Sequence, residues 1–298
     1  MRIPIFLSSI SALMALPLAL CAAEKKSVVL IAGKPSHGPG QHEHNAGIQL
    51  LAKCLAQGAS DRVDLHPHLN GEWPSEAELN AADTIVIYAD GGKGHPAVQE
   101  GRLEQLSAAM KRGCGLVCLH YAVEVPKDNG GREFLEWLGG YFETDWSVNP
   151  HWVANFRPLP AHPVSQGVTP FSSNDEWYFH MRFREKMQGV TPVLSDVPPD
   201  STMSRADGPH SGNPAVRAEI AAKTPQHVAW ASERSGGGRG FGFTGGHYHA
   251  GWSNPDQRKL VLNAILWTAK AQVPETGVLS TPSEADLTAN LDPKPAKK

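Results

Sequence analysis

Gly113-Cys114-Gly115-Leu116-Val117-Cys118-Leu119-His120-Tyr121, residues 113–121, is an apolar run entered through glycine and left through two polar aromatic rings. A continuous apolar segment of this length reads as a strand buried on both faces, the kind found in parallel sheets. Two earlier stretches have the same form, Val28-Val29-Leu30-Ile31-Ala32-Gly33 and Thr84-Ile85-Val86-Ile87-Tyr88-Ala89. Helical spacing fills the intervals: Ala46, Ile48, Leu50, Leu51 and Leu55 recur on one face, with Asn45 as the predicted cap and Gly58 as the stop, and Val98 to Lys111 is a second helix. Val63 to His68 alternates as a strand. Strands alternating with helices predict right-handed βαβ units. The second half changes character. Short pieces, His151 to Leu159 and Val190 to Leu194, are followed by His227 to Ala231, Gly240 to Thr244 and a helix from Pro255 to Ala271. The expected architecture is an α/β, doubly wound, mostly parallel sheet of flavodoxin-like three-layer form over residues 26–271, with an elaborated insertion in the second half. Residues 272–298 are rich in Pro, Thr and Lys, lack periodicity, and are expected to be disordered.

Composition narrows the function. Of 298 residues, 41% are hydrophobic and 19% charged, which points to a globular chain. Lys and Arg total 27 against 30 Asp and Glu, a formal charge of -3, and no run of like charge could track phosphates, so no nucleic acid partner is expected. The glycine-rich Ser235 to Gly240 lacks a P-loop ending and precedes a strand, which argues against a nucleotide. The 14 histidines are about twice the ordinary share, so imidazole is what the chain holds in excess.

Residues 1–23 place Arg2 before an apolar run ending in small residues, the layout of a signal peptide cleaved near Ala22 or Ala23. Export to the periplasm or medium follows, with no stable membrane insertion after cleavage. A lipoprotein box ending at Cys21 is resembled, but bulky Leu20 stands where a small residue is wanted. Cys54, Cys114 and Cys118 then remain, an odd number that makes no disulfide framework, and they read as small buried hydrophobes.

Ligands of open parallel sheets bind beyond the carboxyl ends of the strands. Here those ends lead into Ser36-His37-Gly38 and His42-Glu43-His44, into Asp90, into His120-Tyr121, and into Gly245-Gly246-His247-Tyr248-His249. Three strand ends thus deliver histidine to one rim. Asp175 and Glu176, with His180 four residues after Glu176, add carboxylates and a further imidazole. No usable thiolate accompanies this N/O donor set. It suits a divalent transition metal (Zn, Mn, Fe, Co or Ni) better than calcium. The expected ligands are His37, His44, His120, His180 and His247, with His42 and His249 in the wider set. Catalysis is expected from His120, Glu176, Asp175 and His247, and substrate contact from Tyr121, Trp177, Tyr178, Trp252 and Asp90. His95, His151, His162, His210 and His227 receive no role.

The ordered set VVLIAGKPSHG (28–38), TIVIYADGG (84–92), GCGLVCLHYA (113–122), FLEWLGGYF (134–142), HPVSQGV (162–168), NDEWYF (174–179), HVAW (227–230), GRGFGFTGGHYHAGW (238–252) and LVLNAILWTA (260–269) resembles the ThuA-like, trehalose-utilisation family. The resemblance implies the fold of class I glutamine amidotransferases and a role in carbohydrate metabolism, with activity on sugars or 3-keto-glycosides. It also implies a strained turn after the CGLVCLH strand, where amidotransferases carry a nucleophilic Cys. Here that turn carries His120, and Cys118 lies back in the strand, so thiol-dependent glutamine hydrolysis is not expected. Two readings follow. One is a metal-assisted lyase, isomerase or hydrolase acting on a keto sugar. The other is a non-catalytic carbohydrate-binding module on the same scaffold. The small-molecule partner is a carbohydrate in both, and the sequence leaves the oligomeric state open.

Overall fold

The structure is a computed structural model that describes residues 24–294; the expected signal segment, 1–23, lies outside the described residues. The first four strands are β1 (Lys26–Ala32), β2 (Val63–His68), β3 (Thr84–Tyr88) and β4 (Gly115–Leu119). They are followed by β5 (Gly140–Tyr141), β6 (Trp152–Phe156), β7 (Phe171–Asp175), β8 (Arg182–Phe183), β9 (Val190–Asp196), β10 (Gln226–Glu233) and β11 (Arg239–Phe243). Seven of them form one sheet in the order β2-β1-β3-β4-β11-β10-β9. β2, β1, β3, β4 and β11 run parallel, and β10 and β9 close the sheet antiparallel. The insertion between β4 and β11 holds the β5–β8 ribbon and the β6–β7 hairpin, and it also supplies the edge strand β9.

The period of two along each buried strand sorts side chains to two cores. Val28, Leu30 and Ala32 of β1 pack with Val86, Tyr88, Val117 and Leu119 under helices α1 (His44–Gly58) and α6 (Pro255–Thr268). Val29 and Ile31 pack on the other face, with Ile85, Ile87, Leu116 and Cys118. That face is covered by α2 (Glu76–Ala81), α3 (Arg102–Lys111) and α4 (Arg132–Trp137), and this burial on both faces explains the uninterrupted apolar runs. α5 (Pro214–Ala221) packs its Val216 and Ile220 into the first core. Close approach of α1 to the sheet requires glycine at position 47, where a Cβ would stand 2.4 Å from the Tyr88 ring.

Element boundaries shift where local chemistry intervenes. α1 begins at His44 with Glu43 in the cap position, two residues ahead of the expected Asn45 cap, and the Asn45 side chain instead bonds Asn70 and Asp292. The expected helix from Val98 starts only at Arg102, since Val98 closes a short 3-10 turn and a left-handed Gly101 at φ 73° interrupts the run. The capping box formed by Ser75 and Glu78 starts α2, which periodicity alone did not mark.

The expectation of disorder over 272–298 does not hold for its described part, 272–294. α7 (Glu284–Thr288) sits behind a Ser283 capping box, and Lys53 pairs with Asp286 at 2.5 Å. Further along, the Asp292 N–H donates to Glu43 Oε2 at 2.8 Å, and the Lys294 ammonium lies 3.2 Å from Glu43 Oε1 while also donating to the carbonyls of Gln41 and His42. These polar anchors, with Val273 and Val278 buried in the first core, hold this segment down without making an apolar period. The Lys294–Glu43 pair is buried, 3% and 1% exposed, so removing the cation strands a carboxylate out of water. Lys294→Met is expected to cost about 3 kcal/mol in urea denaturation and to speed amide exchange over residues 40–43. Unchanged exchange there would refute the strap.

Candidate metal centre

Three strand exits converge at the carboxyl edge of the sheet. The loop after β1 carries His42, the turn after β4 carries His120, and the turn after β11 carries His247. The first two adopt left-handed backbone, His42 at φ 47° and His120 at φ 54°, conformations that cost a non-glycine residue about 1 kcal/mol or more and concentrate at functional sites. The strained turn implied by the amidotransferase resemblance is therefore present, with an imidazole at its apex. Gly246, at φ 104°, makes the turn that presents His247, and its carbonyl accepts from the Tyr88 hydroxyl.

The fourth member, Glu176, follows β7 of the insertion. His42 Nε2 lies 3.0 Å from His247 Nδ1 and 3.1 Å from His120 Nε2. Glu176 Oε2 is 3.1 Å from His247 Nδ1 and 3.6 Å from His120 Nε2. All four donor atoms lie within 4.8 Å of one another. Around one ion with bonds of about 2.1 Å, neighbouring ligand atoms stand roughly 3.0 to 3.4 Å apart, so the spacing fits a single cation.

Hydrogen bonds on the far side of two rings decide their tautomers. His42 Nδ1 donates to Asp90 Oδ1 at 2.8 Å, and His120 Nδ1 donates to the Thr244 carbonyl at 2.8 Å. Both Nε2 atoms are then lone pairs, facing each other across 3.1 Å with no proton between them. Burial, followed for His120 by the neighbouring His42, holds both imidazoles below their ordinary pKa and so neutral at pH 7. Neutral rings with converging lone pairs, each fixed by a carboxylate or carbonyl behind it, are the arrangement a divalent metal requires. Asp90 is itself ionised. Burial acts to raise its pKa, but bonds from His42 and Ser36 and the nearness of His44 outweigh that and bring it down to about 2.

The other expected residues separate into those at the centre and those elsewhere. His37 stacks on His42 at 3.5 Å and forms, with His42 and Asp90, a second, more exposed donor group. His44 does not join. As the first residue of α1 its ring turns toward Tyr88, its Nδ1 bonds the Lys34 carbonyl, and its Nε2 stays 3.8 Å from Asp90. His42, two residues earlier on the loop, takes the place expected of it. His180 lies apart, stacked on Trp146 with Nδ1 on the Trp146 carbonyl and Nε2 toward Glu219. His249 is buried next to the strap, its N–H on the Gly40 carbonyl.

Asp175, expected as a catalytic group, faces backbone instead. Its carboxylate is fully buried and accepts the N–H groups of Gly246, His247 and Glu176 at 2.8, 3.0 and 2.8 Å. Burial raises its pKa to about 6, against the pull of those bonds. Trp177 and Trp252 are core residues, the first against Phe156 and Phe243, the second against Tyr88 and Phe243, so neither presents a face to a sugar. Tyr178 does reach the centre, its hydroxyl 3.2 Å from His120 Nε2 and 3.3 Å from Glu176 Oε2. Tyr121 stands at the rim, 6.0 Å from the His42 ring. Asp90 serves as the orienting carboxylate of His42.

Sequence reasoning missed the outer ring of this site. His151 Nε2 is 3.7 Å from Glu176 Oε1, which also accepts from Asn149 at 3.2 Å. Arg205 donates to Asn149 at 2.8 Å, and His210 meets both oxygens of buried Glu124 at 3.0 Å. His151 and Asn149 precede β6, outside the main sheet, and Arg205 and His210 lie well beyond the end of edge strand β9, so a search of the residues next to strand ends could not find them. Cys54, Cys114 and Cys118 are free and buried, and burial pushes the Cys118 thiol up, so no thiolate serves the site.

Fold and site together define a flavodoxin-like α/β domain with a histidine-rich centre at the carboxyl edge of its sheet. The chain belongs to the ThuA family, described as trehalose utilisation, whose family model matches residues 28–268. Among solved structures it is similar to a ThuA-like protein from Bacteroides uniformis, at 15% identity and TM-score 0.58, covering 85% of this chain and 95% of that one, a likeness of fold. No curated protein matches it.

Two outcomes are expected here. Asp90→Asn should weaken binding of Zn²⁺ or Mn²⁺ about 10- to 100-fold by calorimetry, while His180→Ala leaves it unchanged; equal losses would place the centre elsewhere. Separately, the hydrogen bond that His210 donates to the Glu124 carboxylate, ahead of the opposing burial, raises the His210 pKa. Its contribution to stability is therefore full below the unfolded value of about 6.5 and fades as pH rises through the raised folded value. Denaturation midpoints of the parent and His210→Ala should converge as pH rises above about 6.5.

Proposed function

We propose that this protein of the trehalose-utilisation family is an exported, metal-assisted enzyme acting on a small carbohydrate of the 3-keto-glycoside class. The observation that carries the reading is the pair of neutral imidazole lone pairs of His42 and His120, fixed face to face at 3.1 Å beside His247 and Glu176. A cation between them would take up both lone pairs together, where the Tyr178 hydroxyl beside His120 and the Nδ1 of His247 beside His42 can each offer at most one proton. His42, His120, His247 and Glu176 would hold a divalent transition metal, and a bound ion would act as a Lewis acid on a carbonyl and its neighbouring hydroxyl.

The chain's own groups supply the rest. Glu176 spans the site, with Oε2 toward the histidines and Oε1 toward His151 at the mouth, which places a carboxylate and an exposed imidazole in series for moving a proton to solvent. The Tyr178 hydroxyl, its pKa pushed up by burial and by Glu176, stays protonated and donates within the centre. Burial of His42 and His120 keeps them neutral rather than competing for that proton. Removal of a proton next to a ketone, as in a lyase or isomerase, uses each of these parts. The alternative of a non-catalytic binding module draws less support, since the two tryptophans it needs as stacking faces are in the core. Export rests on residues 1–23, where Arg2 stands ahead of an apolar run that ends in small residues.

Metal analysis of the purified mature protein should find about one equivalent of a divalent transition metal per chain. His120→Ala and His247→Ala should lose that metal and turnover on a 3-keto-glycoside, with melting temperature within a few degrees of the parent. Turnover undiminished after exhaustive chelation would overturn the metal-assisted reading.

A further inference from the structure

A second cavity opens at the same edge of the sheet. It has a volume of about 510 Å³ and is bounded by Gly33 after β1, Gly71 after β2, Asp90 after β3, and Gly94, Gln99 and Arg102 on the segment leading into α3. The order β2-β1-β3-β4-β11 reverses direction between β1 and β3, because the chain leaves β1 to one side for β2 and returns to the other for β3. Such a switch point separates the two connecting loops and leaves a crevice beyond the carboxyl ends, where open α/β sheets take their ligands. The volume falls within the range of about 300 to 1,000 Å³ for small-molecule pockets.

The lining indicates the kind of ligand. Asp90 uses Oδ1 for both His42 and Ser36, which leaves Oδ2 without a partner among the described residues. Gln99 spends its Nε2 on two backbone carbonyls and keeps Oε1 open. Lys34, also at the cavity, has an ammonium with no ion-pair partner among the described residues, and Arg102 is held over the Trp73 ring at 4.6 Å with one nitrogen on the Pro96 carbonyl. Acceptors and donors therefore share a wall otherwise made of glycine, proline and Ala89. A ligand with acceptors alone would leave Asp90 Oδ2 and Gln99 Oε1 unanswered, and an apolar ligand would strand the donors of Lys34 and Arg102 as well. Hydroxyl groups, each both donor and acceptor, satisfy such a mixed set.

We propose that this cavity is a saccharide subsite, binding one ring of a neutral disaccharide next to the metal centre. Asp90 is the shared wall, with Oδ1 on His42 and Oδ2 toward the sugar. The inference rests on the carbohydrate reading above and adds a place for the part of the substrate that does not react.

Gly94 offers a test. A Cβ there would meet no atom within 4 Å, and its φ lies outside the left-handed region, so larger side chains can grow into the space. Trehalose is the probe, titrated by calorimetry into the parent, Gly94→Ala, Gly94→Phe and Arg102→Met, with metal content and melting temperature measured on each. The expected result is saturable binding to the parent and to Gly94→Ala, weakened at least tenfold in Gly94→Phe and Arg102→Met, with metal content unchanged in all four. Arg102→Met keeps the test open if Gly94→Phe does not fold. Undiminished binding by the two blocking variants, or no saturable binding by a metal-loaded parent at tens of millimolar, overturns the subsite and leaves the metal centre standing. Loss of binding in the variants of a parent that holds no metal supports the subsite and overturns the metal reading instead.

Discussion

The carboxylate of Asp175 is the junction on which the site depends. It ends β7, in the insertion, yet its partners are the N–H groups of Gly246 and His247 on the turn after β11, along with that of Glu176. One fully buried side chain thus ties the insertion to the rim of the main sheet and sets two members of the centre against each other. A buried carboxylate without such donors would cost several kcal/mol, so the turn and the strand end stabilise each other's geometry. Asp175 acts by position, since it reaches the chemistry only through the residues it holds.

The imidazoles obey a related logic. Each of His42 and His120 has one nitrogen committed to a fixed acceptor, and burial denies the other a proton from solvent. A neutral, oriented lone pair results. The left-handed backbone at both residues adds strain that the surrounding hydrogen bonds must offset. Asp90, resting on Ser36 and lying at the end of β3, carries part of that burden and also faces the neighbouring cavity. The loop bearing His42 is held from the other side by the strap at the end of the chain, through Glu43 and Lys294.

Much of this was legible in the chain because physics there is local. Apolar runs at 28–33, 84–89 and 115–120 report burial on both faces, and burial on both faces means a parallel sheet covered by helices. Parallel strands share one carboxyl edge, so His37, His120 and His247 could be placed at one rim without coordinates. Two neighbouring assignments went astray for equally physical reasons. His42 and His44 differ by two residues on a loop, and only the start of α1 decides which ring faces the centre. Trp177 and Trp252 adjoin polar motifs in sequence, but a strand end exposes one neighbour and buries the next.

The sequence by itself determined the sheet, its edge, the excess of imidazole and the absence of a thiol at the turn, because each follows from residue type and short-range period. Only the tertiary structure decided that Glu176 meets three histidines, that Asp175 holds backbone, that His151, Asn149 and His210 ring the site, and that 272–294 is a strap. Those contacts join segments far apart in the chain, or rest on hydrogen bonds that leave no periodic trace. No rule of spacing reaches them, since they exist only once the chain has closed on itself.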